Sequence, residues 1–145
     1  MYLTKSIAKN IRLREHFTLY EFVNWEAKGE IRKLDDKLLD GLEYVRIILD
    51  QIVTITSGYR IWWFNKKVGG SPNSFHLQGK AADFKIDFSN WSKMSLCKIF
   101  RAAGFTNVGF YYKKINGRWE IIRCHVDVGK TWNGEEFNVM NNIYE

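Results

Sequence analysis

An Asn-Gly pair between two strand-like stretches sets the tightest limit on how this chain can fold. Asn116-Gly117 separates residues 107–115 from residues 118–128, both of which have strand character. Asn-Gly is the strongest short-range signal for a two-residue β-hairpin, because both residues accept the backbone angles that such a turn needs. The sequence therefore predicts two long antiparallel strands near its C-terminal end.

Two earlier segments show helical spacing of their apolar residues. The first runs from Asp35 to Ile52, and its predicted buried stripe is Leu38, Leu42, Val45, Leu49 and Ile52. The second covers about 91–103, and Gly104 suits the end of that helix. We expect both helices to lay an apolar face on the core.

Shorter signals complete the element order. Thr18 and Glu21 match a capping box, which predicts a short helix at that point. The β-branched residues 53–56 predict a strand, and residues 80–88 predict another. The glycine-containing residues 57–75 between these strands are predicted to form a loop.

Helices followed by hairpins favour the α+β class, with a small antiparallel sheet and helices packed on its other face. The chain has 145 residues, of which 46% are hydrophobic and 16% aromatic, and this size and composition suit one folded domain. We therefore predict a single domain over residues 1–145, with residues 1–15 as a flexible or peripheral segment.

Charge and hydropathy narrow the classes of partner. The formal charge of +6 favours anionic partners, but the basic residues are scattered and match no nucleic-acid-binding motif. We therefore expect no nucleic-acid partner. No apolar run approaches the roughly 20 residues of a membrane span, and residues 1–16 contain no apolar signal-peptide core. The expectation is a protein made in the cytoplasm, without a membrane span.

The placement of the histidines points to a metal. His76 lies seven residues before Asp83, and His125 lies in the second predicted hairpin strand. Zinc binds imidazole nitrogen and carboxylate oxygen, and three protein ligands with one open position are typical of catalytic zinc sites. Spacing alone leaves open the alternative of ordinary surface or hydrogen-bonded histidines.

The surrounding residues resemble a known family. The pattern Ser-x-His-x-x-Gly-x-Ala-x-Asp, from Ser74 to Asp83, is similar to the zinc motif of the D-alanyl-D-alanine carboxypeptidases. These form the M15 group of metallopeptidases, related to vancomycin-resistance dipeptidases and phage endolysins. Further similarity to this family lies in Ser57-Gly58-Tyr59-Arg60, Asn65, Val68-Gly69-Gly70, and His125 with Asp127. Residues 16–22 resemble the lead-in helix of its short, phage-associated branch, so the resemblance spans roughly residues 16 to 132.

The resemblance implies a hedgehog/DD-peptidase-like fold with one zinc ion held on the sheet by His76, Asp83 and His125. It also implies hydrolysis of peptide bonds in peptidoglycan stem peptides, by a carboxypeptidase or an endopeptidase of endolysin type. The expected partners are peptidoglycan peptides, and the expected state is a monomer. The protein would reach the cell wall by release or another delivery route, which includes a phage-encoded one.

The resemblance also implies a catalytic role for Arg60, which would stabilise the developing oxyanion. Two carboxylates are candidates for the proton carrier. Strand alternation puts Asp127 on the face of His125 and Glu120 on the other face, whereas a β-bulge would reverse the placement of Glu120. A supporting or turn-capping role for Asp127 is the alternative.

The substrate-binding candidates are Ser74, Tyr59 and Arg123, of which Ser74 is expected to orient the metal-binding loop and Arg123 to bind a substrate carboxylate. A different functional class stays open beside the enzyme. The same zinc scaffold could serve as a non-catalytic binding or structural module of a phage-like particle. Turnover on wall fragments separates the two hypotheses.

Overall fold

The computed structural model describes residues 3–27, 29–31 and 33–145. Four helices are formed within these ranges: α1 (Lys5–Asn10), α2 (Asp36–Leu49), α3 (Trp62–Lys67) and α4 (Lys93–Ala102). The strands are β1 (Arg12–Arg14), β2 (Phe17–Thr18), β3 (Thr54–Ser57), β4 (Ala81–Lys85), β5 (Asn107–Ile115), β6 (Arg118–Asp127), β7 (Asn138–Val139) and β8 (Ile143–Tyr144). Short 3₁₀ turns span Leu19–Phe22, Trp25–Ala27 and Phe75–Gln78. The fold is therefore mixed α+β.

The main sheet has the strand order β3-β4-β6-β5-β7, and β8 also pairs with β5. The pairs β3–β4, β4–β6 and β6–β5 are antiparallel, while β7 and β8 run parallel to β5. The prediction of an antiparallel sheet therefore holds for the four longer strands and is wrong at this edge. Two-residue strands are too short to show an alternating pattern in the sequence, so the C-terminal segment gave no signal.

The predicted hairpin is confirmed. Asn116 and Gly117 connect β5 and β6 with positive φ angles of 50° and 80°. The pairing contains one irregularity, because Tyr111 pairs with Arg123 whereas Tyr112 pairs with Ile121. Strand β6 therefore advances by two residues where β5 advances by one, and Ile122 is the extra residue of a β-bulge. The bulge reverses the side-chain alternation of β6 between Ile122 and the turn.

The main core lies between helices α2 and α4 and one face of the sheet. Its buried helix residues are Leu38, Leu39, Leu42, Val45, Leu49, Leu96 and Phe100. Its buried residues from the main sheet are Ala82, Phe84, Val108, Phe110, Cys124 and Val126, and Val53 is buried directly before β3. Successive side chains of a strand point to opposite faces, so Asp83, His125 and Asp127 point away from these helices.

Helix boundaries differ from the predictions in two places. Asp35 caps α2 by accepting a hydrogen bond from the backbone N–H of Lys37 (2.9 Å), but the helix ends at Leu49. Ile52 is 74% exposed and is not part of the predicted buried stripe. The predicted loop at residues 57–75 contains helix α3, whose aromatic start was obscured by the glycines that follow it.

The N-terminal part of the described chain packs against the same core. Ala8 of α1 is buried, and the backbone N–H of Thr18 donates to Glu21 Oε2 at 2.6 Å, as a capping box requires. The helix predicted there is a single 3₁₀ turn. The longest helix of the described residues, α2, has 14 residues, and none is long and apolar enough to cross a membrane.

Candidate metal centre

Strand register brings two of the predicted ligands together. Asp83 of β4 is paired with His125 of β6. Directly opposed residues of an antiparallel pair have Cβ atoms about 4.5–5.5 Å apart on one face, so the two side chains are neighbours. His76 reaches the same point from the 3₁₀ turn Phe75–Gln78, which immediately precedes β4.

The turn that carries His76 is held on both sides. Ser74 Oγ accepts a hydrogen bond from the backbone N–H of His76 (3.2 Å), and the carbonyl of His76 accepts one from Arg60 N (3.0 Å). Gly79 ends the turn with a φ of 67°, and a Cβ there would collide with the backbone oxygen of Lys33. A glycine is required at this position both for its backbone angle and for the close approach.

The three donor atoms fit a metal ion. His76 Nε2 lies 3.4 Å from Asp83 Oδ1, and His125 Nδ1 lies 2.9 Å from the same oxygen. All three donors lie within 4.8 Å of one another. A tetrahedral zinc ion with donors at about 2.0–2.1 Å would separate neighbouring donors by about 3.3 Å. The donor set therefore needs only small adjustments to hold such an ion.

The outer nitrogen of each imidazole has an acceptor of its own. His76 Nδ1 lies 2.8 Å from the carbonyl oxygen of Gly58, and His125 Nε2 lies 2.8 Å from Asp127 Oδ2. Carbonyl and carboxylate oxygens only accept, so these nitrogens donate. The inner nitrogens, His76 Nε2 and His125 Nδ1, are thereby directed at Asp83, an arrangement typical of metal-binding histidines.

Asp127 is fixed as firmly as the histidine that it contacts. Its side chain is 1% exposed. Asp127 Oδ1 accepts hydrogen bonds from Asn107 Nδ2 (2.7 Å) and from the backbone N–H of Gly129 (3.1 Å), while Oδ2 faces His125. The contacts of Asp127 therefore orient the imidazole, and both of its oxygens are engaged.

The pKa values of these groups show how the charges balance without a metal. Burial tends to lower the pKa of His125, but the contacts with Asp127 and Asp83 raise it to about 9. Burial lowers the pKa of His76 despite the neighbouring Asp83. Burial would raise the pKa of Asp83, yet hydrogen bonds from His125 and His76 hold it well below its usual range. A protonated His125 thus lies between two carboxylates, an environment that favours a cation.

Arg60 lies beside the ligand set. Its Nη2 is 3.4 Å from Asp83 Oδ2, which is the carboxylate oxygen that does not face the histidines. Nε donates to Ser57 Oγ (3.1 Å) and Nη1 to Asn65 Oδ1 (3.3 Å). The guanidinium is held in place with only 16% of the side chain exposed. This gives the site a fixed positive donor next to the candidate metal ligands.

A cavity of about 200 Å³ opens onto these residues. It is lined by Arg60, Gly70, Ser71, Ser74, Phe75, His76, Asp83, Tyr111, His125, Asp127, Trp132 and Met140. Tyr111, Trp132 and Met140 were not predicted from the sequence. Tyr111 shares the face of His125 because Gly109 pairs with His125 and Tyr111 is two residues further on, a register that the β-bulge sets and that the sequence pattern does not show. Trp132 and Met140 follow the last long strand, where no periodic signal exists.

Three predicted site residues lie outside this cavity. Tyr59 is 4% exposed and packs with Ala27 and Ile61 in a second, smaller core. Arg123 Nη2 is 2.6 Å from Glu145 Oε1, and its guanidinium lies 4.1 Å from the centre of the Tyr111 ring. Glu120 is exposed and lies five residues before His125, about 15 Å away along a strand.

A second group of ligand-type side chains occurs in the described residues, and it is open to solvent. His16 Nδ1 lies 2.9 Å from Glu43 Oε1, with Glu15 nearby. The His16 backbone N–H also donates to Glu43 Oε1 (2.9 Å), so hydrogen bonds to His16 account for the position of the Glu43 carboxylate. Of these two groups within the described residues, only that formed by His76, Asp83 and His125 combines burial with oriented ring nitrogens.

Comparison with protein-family models gives a match to the model described as Peptidase M15 over residues 15–116. The chain belongs to the peptidase M15 family. As a member of the peptidase M15 family it has His76, Asp83 and Arg60 inside the matched range, whereas His125 and Asp127 lie beyond it. The assignment of those two residues therefore rests on the β4–β6 register and on their contacts. A comparison with curated proteins found no significant match.

Proposed function

We propose that this member of the peptidase M15 family is a zinc-dependent peptidase that hydrolyses peptide bonds of peptidoglycan stem peptides. One observation carries the proposal. His76 and His125 each use the outer ring nitrogen to donate to a fixed acceptor, so that both inner nitrogens meet Asp83 Oδ1. This orientation has a cost in conformational freedom, and metal binding is the function that it serves best.

The residues that would hold one zinc ion are His76, Asp83 and His125. Bound zinc would supply a Lewis acid for the scissile carbonyl and lower the pKa of a coordinated water to about 7. The protein contributes the rest of the chemistry. Arg60 places its guanidinium at the edge of the cavity, where it can donate to the oxygen that becomes negative during peptide hydrolysis.

For Asp127 the contacts favour a positioning role. Its Oδ2 faces His125 Nε2 and its Oδ1 already accepts two hydrogen bonds. Such a carboxylate fixes the tautomer of the ligand and increases its basicity. The role of Asp127 as proton carrier remains a prediction, since Oδ2 would have to exchange His125 for the reacting water.

The family and the shape of the site support the proposed substrate class. The cavity is small, at about 200 Å³, and its polar residues can bind a short peptide segment near Arg60 and Ser74. A stem peptide that contains a D-amino acid is the proposed substrate, cut by an endopeptidase or carboxypeptidase reaction. We further propose a wall-acting enzyme of the phage-associated branch, working as a monomer.

A second candidate function has one observation in its favour. The only carboxylates among the described residues that line the cavity are Asp83 and Asp127, and both are engaged with histidines. A site without a free carboxylate would suit a zinc-containing binding or structural module that does not turn over substrate.

Metal analysis and hydrolysis, measured together, test the proposal. The purified protein should bind about one equivalent of zinc, and His76→Ala should lose most of it because one of three protein ligands is removed. The zinc-loaded wild type should release identifiable peptide fragments from purified cell walls. Wild-type zinc content in His76→Ala would disprove the ligand assignment. Zinc binding with no turnover on walls from several bacteria would favour the binding module.

A further inference from the structure

A second cavity lies where strand β4 leaves the sheet. Strand β4 pairs with β6 only as far as Phe84 opposite Cys124, whereas β6 continues to Arg118. The space beside the uncovered edge of β6 forms a cavity of about 720 Å³, which we name the edge groove. Its lining residues are Lys85, Ile86, Asp87, Phe88, Ser89, Trp91, Lys93, Tyr112, Trp119, Glu120, Ile121 and Ile122. None of them lines the metal cavity.

Aromatic rings form one wall of the edge groove. Trp119 is 49% exposed, and its ring contacts Tyr144 edge-on at a centroid distance of 4.9 Å. Tyr144 in turn stacks on Tyr112 at 5.3 Å, and Trp91 lies half-buried against the core. Trp119, Tyr144 and Tyr112 thus support one another, and the exposed part of the Trp119 ring faces solvent.

Polar groups of both signs surround this wall. Ser89 Oγ donates to Asp87 Oδ1 at 2.7 Å, and Lys93 Nζ donates to Asn142 Oδ1 at 2.6 Å. Lys85 and Glu120 are exposed beside them. A groove that selected an ionic ligand would carry a surplus of one sign, and a lipid site would lack charges at its centre. Fixed aromatic faces with mixed donors and acceptors instead suit a neutral, hydroxyl-rich and amide-bearing ligand.

We propose that the edge groove binds the glycan strand of peptidoglycan, through its N-acetylated amino sugars. The polarised C–H groups of a pyranose ring can stack on the electron-rich face of Trp119, while acetamido and hydroxyl groups bond to the polar rim. This inference rests on the proposed function, because the peptides attached to the same polymer are the proposed substrate. Lys85 is two residues from Asp83 on β4, about 7 Å along the strand, so one polymer can reach both sites.

The test uses a peptide-free β-1,4-linked tetramer of N-acetylglucosamine, which the proposed peptidase cannot cleave. In the zinc-loaded, ¹⁵N-labelled protein the tetramer should shift the amide signals of Ser89, Trp91 and Ile121 and the indole signal of Trp119. Trp119→Ala should raise the dissociation constant of the tetramer about tenfold, while Trp119→Phe should keep most of the affinity because it keeps an aromatic ring. Trp63→Ala is the matched control, since Trp63 is 40% exposed and lies outside the groove.

The glycan proposal is overturned if the tetramer shifts no groove signals, or if Trp119→Ala and Trp63→Ala change the dissociation constant equally. Binding of stem peptides to the groove instead of the tetramer would also overturn it. The shift map of the wild type remains decisive if Trp119→Ala fails to fold. Hydrolysis of a short soluble stem peptide reports on the proposed function alone. If the protein binds the tetramer and cleaves no peptide, only the proposed peptidase function is wrong. If it cleaves the peptide and does not bind the tetramer, only the glycan proposal is wrong.

Discussion

Replacing Asp127 by Asn tests how the metal site is held together. The substitution keeps the shape of the side chain but leaves one oxygen where the carboxylate has two. Asn107 Nδ2 and the backbone N–H of Gly129 both donate to Asp127 Oδ1, so the remaining amide oxygen is expected to stay with them. The amide N–H₂ then faces His125 Nε2, which must become an acceptor. The hydrogen moves to Nδ1, the nitrogen that would bind the metal.

The size of the effect follows from the bond that is lost. Hydrogen bonds to charged groups contribute about 1.5–3 kcal/mol, and loss of the outer partner of a metal-binding histidine costs about 10–100-fold in metal affinity. We therefore expect Asp127→Asn to bind zinc about 10–100-fold more weakly than the wild type. The metal-free variant should also unfold about 3–12 °C lower, because the charged contact to His125 is missing.

Zinc affinity by competition with a chelator and turnover on saturated protein are measured separately. Asp36→Asn is a suitable control, since its side chain is 86% exposed and contacts Arg14 at the surface. Asp127→Asn that binds zinc as tightly as the wild type and yet loses hydrolysis would refute the positioning role and establish Asp127 as the proton carrier.

Three further results are expected. Arg60→Ala should lower turnover about 10²–10³-fold at full zinc loading, as measured by steady-state kinetics, and normal activity would contradict the oxyanion role. In the metal-free protein burial alone would lower the pKa of His125, but the contacts with Asp127 and Asp83 raise this pKa to about 9. Below that pH zinc must displace a proton, so the apparent zinc affinity should fall about tenfold per pH unit as pH decreases, and a flat profile would exclude this competition. Zinc at about 100 times its dissociation constant should stabilise the wild type by about 2.7 kcal/mol in thermal unfolding, and removal by a chelator should reverse the gain. The same addition should have little effect on His76→Ala.

The elements with long periodic patterns could be predicted from the sequence. Helices α2 and α4 follow from apolar residues that repeat at helical spacing over several turns. The β5–β6 hairpin follows from Asn116-Gly117 between two long strand-like stretches. Helix α3 and the two short strands β7 and β8 could not be predicted in this way. Strands β7 and β8 form by pairing with β5, which is distant in the sequence, and helix α3 has only six residues, too few to show a spacing pattern.

The candidate ligand set came from the family resemblance. A metal site needs a restricted choice of side chains, but the three histidines of the chain alone left other roles open until the motif around His76 and Asp83 was considered. Two of the groups that hold the candidate ligands and Asp127 in place were not predictable. Gly58 acts through its backbone carbonyl, which no side-chain pattern encodes, and Asn107 acts through a register that only the folded hairpin defines.

The comparison of Asp127 with Glu120 shows that strand alternation predicts the face of a side chain only where the strand has no β-bulge. Strict alternation put Glu120 on the face opposite His125, but the bulge at Ile122 shifts the pairing so that Glu120 opposes Lys113. By register Glu120 then points to the same side as His125. Its side chain nevertheless lines the edge groove and not the metal cavity. Glu120 is therefore separated from His125 by distance along the strand and not by the side of the sheet. Of the two candidate proton carriers, Asp127 is the one in contact with His125.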